Sequence, residues 1–177
     1  MAANPKFNPL FFAPFVSSTF RPKSEWIDEN GHLNMAYFNV IFELALDEAL
    51  VQLGLTPDYY ASGRGTVFIG EAHLKYRREV TLDMSVRVTL QLIDYDEKRM
   101  HLYMEMRHAN EGWLACTSEL MMLHVDPTER RVAPFPPDIL NEIAVMKSAH
   151  ASLPKPDVLG SQIAIPNSVK GGKVGLH

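Results

Sequence analysis

Residues 25–55, EWIDENGHLNMAYFNVIFELALDEALVQLGL, decide the fold: a polar loop empties into one long helix. Asn34 suits the N-cap, because its side-chain oxygen can accept from a first-turn amide that has no partner inside the helix. Gly54 stands where a left-handed C-terminal cap is wanted, with Leu55 as its apolar partner. Between these ends Asn39, Glu43 and Asp47 form a narrow polar stripe, joined by Glu48 and Gln52. The remaining positions, Tyr37, Phe38, Val40, Ile41, Phe42, Leu44, Ala45, Leu46, Ala49, Leu50 and Leu53, are apolar. A surface helix carries a broad polar face, so this one is expected to be largely enclosed by other structure.

At 177 residues the chain has room for one domain with a real core. Its formal charge of -4 and the lack of a basic stripe argue against a nucleic-acid partner. The single cysteine, Cys116, excludes an internal disulfide framework and fits a reducing compartment. Residues 9–16, PLFFAPFV, are too short and too interrupted by Pro9 and Pro14 for a signal-peptide core. No apolar run approaches the roughly 18 residues that a membrane span needs. The expectation is a soluble cytoplasmic protein with no membrane partner.

Sheet is expected on both sides of the helix. Residues 1–14 read as an N-terminal extension, and FVSSTFRPK (15–23) alternates weakly as a first strand. After a connection over 56–65, Phe68, Gly70, Ala72, Leu74 and Tyr76 alternate against Ile69, Glu71, His73, Lys75 and Arg77. Val86 to Leu92 and Met100 to Arg107 alternate in the same way, separated by the turn DYDEK. Trp113 to Val125 is apolar on both faces in its second half, as suits an interior strand. Short links between these strands predict an antiparallel meander. Pro137 to Leu153 carries Ile139, Ile143 and Met146 on one stripe of an amphipathic helix, and residues 154–177 read as a loose tail. The class is α+β, one domain over 15–153, in which a strongly curved antiparallel sheet wraps the long helix. Edge-to-edge pairing of two subunits, as a homodimer or a dimer of dimers, would help to cover what one sheet leaves open.

The loop also carries a motif. Trp26-Ile27-Asp28, then Gly31-His32-Leu33-Asn34 and Tyr37, resembles the D-x-x-G-H-x-N-x-x-Y signature of hotdog-fold acyl-CoA thioesterases of the 4-hydroxybenzoyl-CoA thioesterase type. The meander after the helix matches that fold, so the resemblance covers roughly 15–125. The segments EAHLKYRREV, QLIDYDEKRMHLYMEMRHANEGWLACTSE and VAPFPPDIL are similar to the betainyl-CoA thioesterases of carnitine catabolism, which occur alone or fused to carnitine dehydrogenase. The resemblance implies hydrolysis of a short acyl-CoA, betainyl-CoA first, with coenzyme A as part of the substrate and no separate cofactor.

Thioester hydrolysis needs an attacking oxygen and donors for the charge that grows on the carbonyl oxygen. A helix N-terminus supplies such donors, here the amides of Asn34 to Ala36. By resemblance Asp28 is the catalytic carboxylate, as nucleophile or as general base for water. Its local alternative is a turn or capping residue. His32 suits a proton relay or a hydrogen bond within the loop, and Asn34 serves as cap with or without substrate contact. A trimethylammonium group would need aromatic faces, and Trp26, Tyr37, Tyr59, Tyr60, Phe68 and Trp113 are available, with Met35 beside them. Lys75, Arg77 and Arg78 are candidates for the phosphates of coenzyme A, against the alternative of a merely solvated strand face. Cys116 sits mid-strand, away from the settings that favour a thiolate, and reads as core. The histidine spacing offers no metal motif.

Three rivals stay open: a thioesterase for another short or aromatic acyl group, a hotdog enoyl-CoA hydratase, and a non-catalytic acyl-CoA-binding module. The hydratase signature Asp-x-Asn-Pro-x-His is matched poorly, because Gly31 replaces the proline and His32 comes one residue early.

Overall fold

The structure, a computed structural model, describes residues 13–165. Chain order is β1 (Phe15–Val16), a 3-10 turn (Ser24–Trp26), α1 (Met35–Gln52), α2 (Pro57–Ala61), β2 (Thr66–Tyr76), β3 (Val86–Tyr95), β4 (Arg99–His108), β5 (Leu114–Asp126), β6 (Arg131–Val132) and α3 (Pro137–His150). The long helix begins and ends where its caps predict. Asn34 Oδ1 accepts from Ala36 N–H at 3.0 Å, and Gly54 adopts φ +82°, a conformation that costs glycine least.

Phe38, Ile41, Phe42, Ala45, Leu46, Ala49 and Leu50 form the buried stripe of α1. They pack against the inner sheet face, where Met100, Leu102, Met104, Met106, Leu120 and Met122 lie. Each large side chain so buried contributes roughly 1.5–3 kcal/mol. Enclosure is incomplete, however: Met35, Val40, Leu44 and Val51 remain exposed along the opposite side of α1. The reason is geometric, since a single sheet curves around only part of a helix and β2 ends it on that side.

The expected meander holds for β3, β4 and β5 but not for β2. Strand order is β1-β3-β4-β5-β2, so β2 pairs antiparallel with the far side of β5 and not with β3. The link after β2 must therefore pass beneath the sheet, and buried Val80 ties it to the helix loop by accepting from Leu33 N–H at 2.7 Å. This crossing places residues 77–80 beside 28–34.

The alternation read for β2 is also corrected. Pairing skips Gly70, so a bulge separates Ile69, opposite Met122, from Glu71, opposite Met121. An extra residue inverts the parity of everything before it. Ile69 joins Ala72 and Leu74 on the inner face, and Phe68 turns to the outer face, 59% exposed. The first strand is shorter than expected; beyond Val16 its run to Lys23 is held to β3 by Ser17 N–H donating to the Val88 carbonyl at 2.8 Å and by an isolated bridge from Phe20 to Val86.

α3 packs Ile139, Ile143 and Met146 into the core, and His150 Nδ1 accepts from Leu92 N–H at the β3 edge. The chain after it has no helix or strand through residue 165, yet Gly160 N–H donates to the Glu119 carboxylate on the outer sheet face. The N-terminal extension, apart from Ala13 and Pro14, and residues 166–177 of the expected tail lie outside the described residues. A long helix wrapped by a curved antiparallel sheet is the hotdog arrangement that the resemblance implied.

Candidate active site

Residues 27–33 form a tight hairpin. Ile27 and Leu33 bridge, Asp28 N–H donates to the His32 carbonyl at 3.0 Å, and Gly31 N–H donates to the Asp28 carbonyl at 3.0 Å. Gly31 takes φ +83°, the left-handed residue that follows the turn in a three-residue hairpin loop. Asp28 Oδ1 accepts from Asn30 N–H at 2.9 Å, so the local turn role of this carboxylate is real. Among the described residues only Oδ1 takes a hydrogen bond. Oδ2 has His32 Nδ1 at 3.7 Å, too long for a hydrogen bond, and the Asp28 side chain is 17% exposed, reachable from a cleft.

Immediately after this hairpin, α1 presents its N-terminus. Asn34 N–H donates to the Trp26 carbonyl at 2.9 Å, Ala36 N–H to Asn34 Oδ1, and Tyr37 N–H to the Asn34 carbonyl at 3.0 Å. Of the amides proposed as donors, only that of Met35 has no partner among the described residues. The expectation of a donor cluster over 34–36 thus narrows to one N–H at the positive end of the helix. Met35 as a residue is 65% exposed and lines a cleft at the helix start.

A cleft of about 520 Å³ gathers Asp28, His32, Leu33, Asn34, Met35, Phe38, Tyr76, Arg77, Arg78 and Glu79. Tyr76 closes one side, edge-on to Phe38 and with its hydroxyl donating to the Met35 carbonyl at 3.3 Å. Tyr76, Phe38 and Glu79 were not singled out from sequence. Tyr76 stood on the correct face of β2, but nothing local pointed from it to Met35.

The other predicted residues are distributed as follows. Trp26 and Tyr37 stack on each other at 5.4 Å beside the helix start, outside the cleft lining, and Lys23 Nζ lies 5.1 Å from the Trp26 ring. Trp113 stacks on His108 at 5.0 Å and carries the Arg78 guanidinium 4.4 Å from its ring centre. Lys75 is opposite Thr117 in the sheet and does not line the cleft. Tyr60 and Phe68 belong to α2 and the start of β2, near the far end of α1 from Asp28. Within one chain they are not brought to the cleft. Burial first, then Asp47, Tyr59 and Glu43, pushes the Tyr60 hydroxyl up to about 12. Cys116 is fully buried, and burial pushes its thiol up to about 12, which disfavours the thiolate that a nucleophile needs.

The thioesterase-like superfamily model matches residues 22–143. A betainyl-CoA thioesterase of Pseudomonas aeruginosa is 33% identical over 142 residues, spanning 80% of this chain and 89% of that protein. The fused L-carnitine dehydrogenase/betainyl-CoA thioesterase of Rhizobium meliloti is 30% identical over 138 residues, 78% of this chain but 28% of the fusion. Among solved structures, a Staphylococcus aureus protein in complex with CoA superposes with TM-score 0.80 at 33% identity, over 86% of this chain and 96% of that one. The DHNA-CoA thioesterase of the same species, at 14% identity and TM-score 0.70 over 77% of this chain and 93% of its own, shares the fold. With its motif, its sheet and these matches in agreement, the chain belongs to the thioesterase-like superfamily.

Proposed function

We propose that this protein is a cytoplasmic thioesterase that hydrolyses betainyl-CoA to glycine betaine and coenzyme A. The observation that carries the reading is the pairing, in one cleft, of a carboxylate oxygen left free by its turn and a helix amide left free by its cap. The substrate follows from the Pseudomonas aeruginosa relative, which this chain matches over most of both lengths.

In this reading the thioester carbonyl oxygen faces the Met35 N–H. Asp28 either takes a proton from an attacking water or attacks the carbonyl carbon itself through Oδ2. Negative charge then grows on the carbonyl oxygen, where the fixed amide and the helix dipole stabilise it more than they do the ground state. Collapse breaks the carbon–sulfur bond: on the general-base route protonated Asp28 returns its proton to the departing thiolate, whereas on the nucleophilic route the acyl group stays on Oδ2 as a mixed anhydride, which a water hydrolyses to glycine betaine, freeing the carboxylate and supplying the proton that the thiolate takes up. In the same reading His32, whose Nδ1 lies 3.7 Å from Oδ2, moves within hydrogen-bond reach when substrate binds and orients the carboxylate or relays a proton.

The active unit in this proposal is a homodimer. β2 pairs with β5 on one side only, and Val40, Leu44, Val51 and Ile69 lie exposed along α1 and that edge. Antiparallel pairing of β2 with its copy would reverse the strand, bringing the Phe68 and Tyr60 end of one subunit toward the Tyr76 end of the other. The aromatic faces for a trimethylammonium group would then come in part from the partner. Leu44→Asp is expected to give monomers in sedimentation with loss of turnover, and an unchanged active dimer would sink this arrangement.

Thiol release measured across a panel of acyl-CoAs tests the main reading. Release from betainyl-CoA, and not from long-chain or aromatic thioesters, is expected. Water addition to an enoyl-CoA without thiol release would replace hydrolysis by hydratase chemistry, and binding without turnover of any thioester would leave an acyl-CoA-binding module.

A further inference from the structure

A second, smaller cavity lies further along the same flank of α1. The cleft takes Met35 and Phe38 from the helix and Tyr76 from β2, whereas this cavity takes Asn39, Phe42 and Glu43 from the next turns, Ala72 from β2 and Ser118 from β5. Ile69 forms another wall, and it faces inward only because the bulge at Gly70 inverts the strand before it. The cavity measures about 80 Å³, the space of two or three waters at roughly 30 Å³ each. It admits a compact group and excludes a long acyl chain.

Two polar groups of this lining stand without partners. Ser118 is fully buried, and its Oγ makes no hydrogen bond among the described residues. A buried hydroxyl in that state is uncommon and calls for an occupant that supplies what is missing. Glu43 makes no ion pair or hydrogen bond among the described residues either. Partial burial first, and then Asp47 one turn on, hold its carboxyl above its ordinary value. A cation beside it would offset both effects. Phe42, fully buried, adds an aromatic wall. A carboxylate with an aromatic ring and apolar sides suits a quaternary ammonium, which has no N–H to donate and so needs no hydrogen-bond acceptor aligned to it. None of the six aromatic residues singled out from sequence lines this cavity.

We infer that this cavity seats the trimethylammonium head of the acyl group, with Glu43 as its counter-charge, Phe42 as its aromatic face and Ser118 Oγ as a dipole turned toward it. This rests on the betainyl-CoA reading and names the residues that recognise the charge of that substrate. The spacing agrees. Along the helix axis Asn39 stands about 6 Å and Glu43 about 12 Å from Met35, at ~1.5 Å per residue. Helical side chains lean back toward the N-terminus, which brings the Glu43 carboxylate closer to the cleft. With the thioester carbonyl at the Met35 N–H, a charge one methylene beyond the carbonyl carbon falls at the level of Asn39, where the cavity begins. A hydrocarbon head would fill the same space but leave Ser118 and Glu43 unpaired.

The test is the ratio of kcat/KM for betainyl-CoA to that for tert-butylacetyl-CoA, whose head has the same shape without the charge. Wild type is expected to favour betainyl-CoA. Glu43→Gln is expected to lower the ratio about ten- to hundredfold, between the effect of an exposed ion pair and that of a buried one. Turnover of the neutral thioester should stay within a few-fold. Glu43 is exposed on α1, so this variant is expected to fold and to melt close to wild type. Glu43→Asp keeps the charge on a shorter arm and is expected to retain more of the ratio than Glu43→Gln. Ser118→Ala is expected to lower the ratio about two- to tenfold. Glu71→Gln makes the same change on the outer face of β2 and serves as the control that leaves the ratio unchanged. An unchanged ratio in Glu43→Gln overturns the assignment while betainyl-CoA hydrolysis stands. Equal losses on both thioesters also overturn it, because a counter-charge acts on the charged head alone. If wild type ignores betainyl-CoA but cleaves the neutral thioester, the acyl reading fails and this site with it, and hydrolysis of no thioester sinks the enzyme reading as well.

Discussion

Asp28 has two jobs that substitutions can separate. Oδ1 accepts the Asn30 amide and holds the hairpin, whereas Oδ2 lies 3.7 Å from His32 Nδ1 and has no hydrogen bond among the described residues, on a side chain that lines the cleft. Asp28→Asn keeps an oxygen for the Asn30 amide but removes the anion. Asp28→Ala removes both. The turn hydrogen bond is worth about 1 kcal/mol net, which in a domain of this size moves the melting temperature by about 2–4 °C. The two variants are therefore expected to differ in thermal midpoint, with Asn near wild type and Ala lower. Their turnover should be alike, reduced about 10²–10⁴-fold or more, the range for a lost proton-transfer group. Thermal unfolding followed by circular dichroism and thiol release from betainyl-CoA supply the two measurements. An Asn variant with near-normal turnover, alongside an Ala variant that loses stability and activity together, would refute the chemical role and leave Asp28 a turn residue.

Two further outcomes follow from the packing. A Cβ on Gly65 would stand 2.0 Å from His124 Nε2 and 2.8 Å from the Tyr59 hydroxyl. His124 is buried, with Nδ1–H donating to the Ala133 carbonyl and Nε2 accepting from Tyr59, so displacing it strands polar groups at about 1–3 kcal/mol each. Gly65→Ala should consequently melt well below wild type, and an unchanged melting curve would contradict this packing. Cys116→Ala should retain turnover within a few-fold, since the thiol is fully buried and held protonated. A hundredfold loss of kcat in a folded Cys116→Ala protein would reopen the thiol as nucleophile.

Local chemistry made much of this molecule legible in advance. Asn34 and Gly54 bound α1 because capping hydrogen bonds and a left-handed backbone involve residues within one turn of each other. The turn role of Asp28 was readable for the same reason, although the hairpin that the loop forms around it was not. Alternation found β3, β4 and β5 because side-chain direction along a regular strand has a strict period of two. It misplaced Phe68 because one unpaired glycine inverts that period, and the presence of the bulge depends on Leu123 and Met121 across the sheet.

What tertiary structure alone decided is which groups were left over. That Met35 retains the open amide depends on Trp26 taking the Asn34 N–H, and the approach of Arg77 and Arg78 to Asp28 depends on β2 crossing to β5 and on Val80 meeting Leu33. The turn and the helix cap follow from residues near in sequence, whose contacts carry little loop-closure entropy. The cleft forms from segments some fifty residues apart, 28–34 and 77–80, and their meeting is selected by the burial of the whole sheet against α1, a quantity that no short stretch of sequence contains.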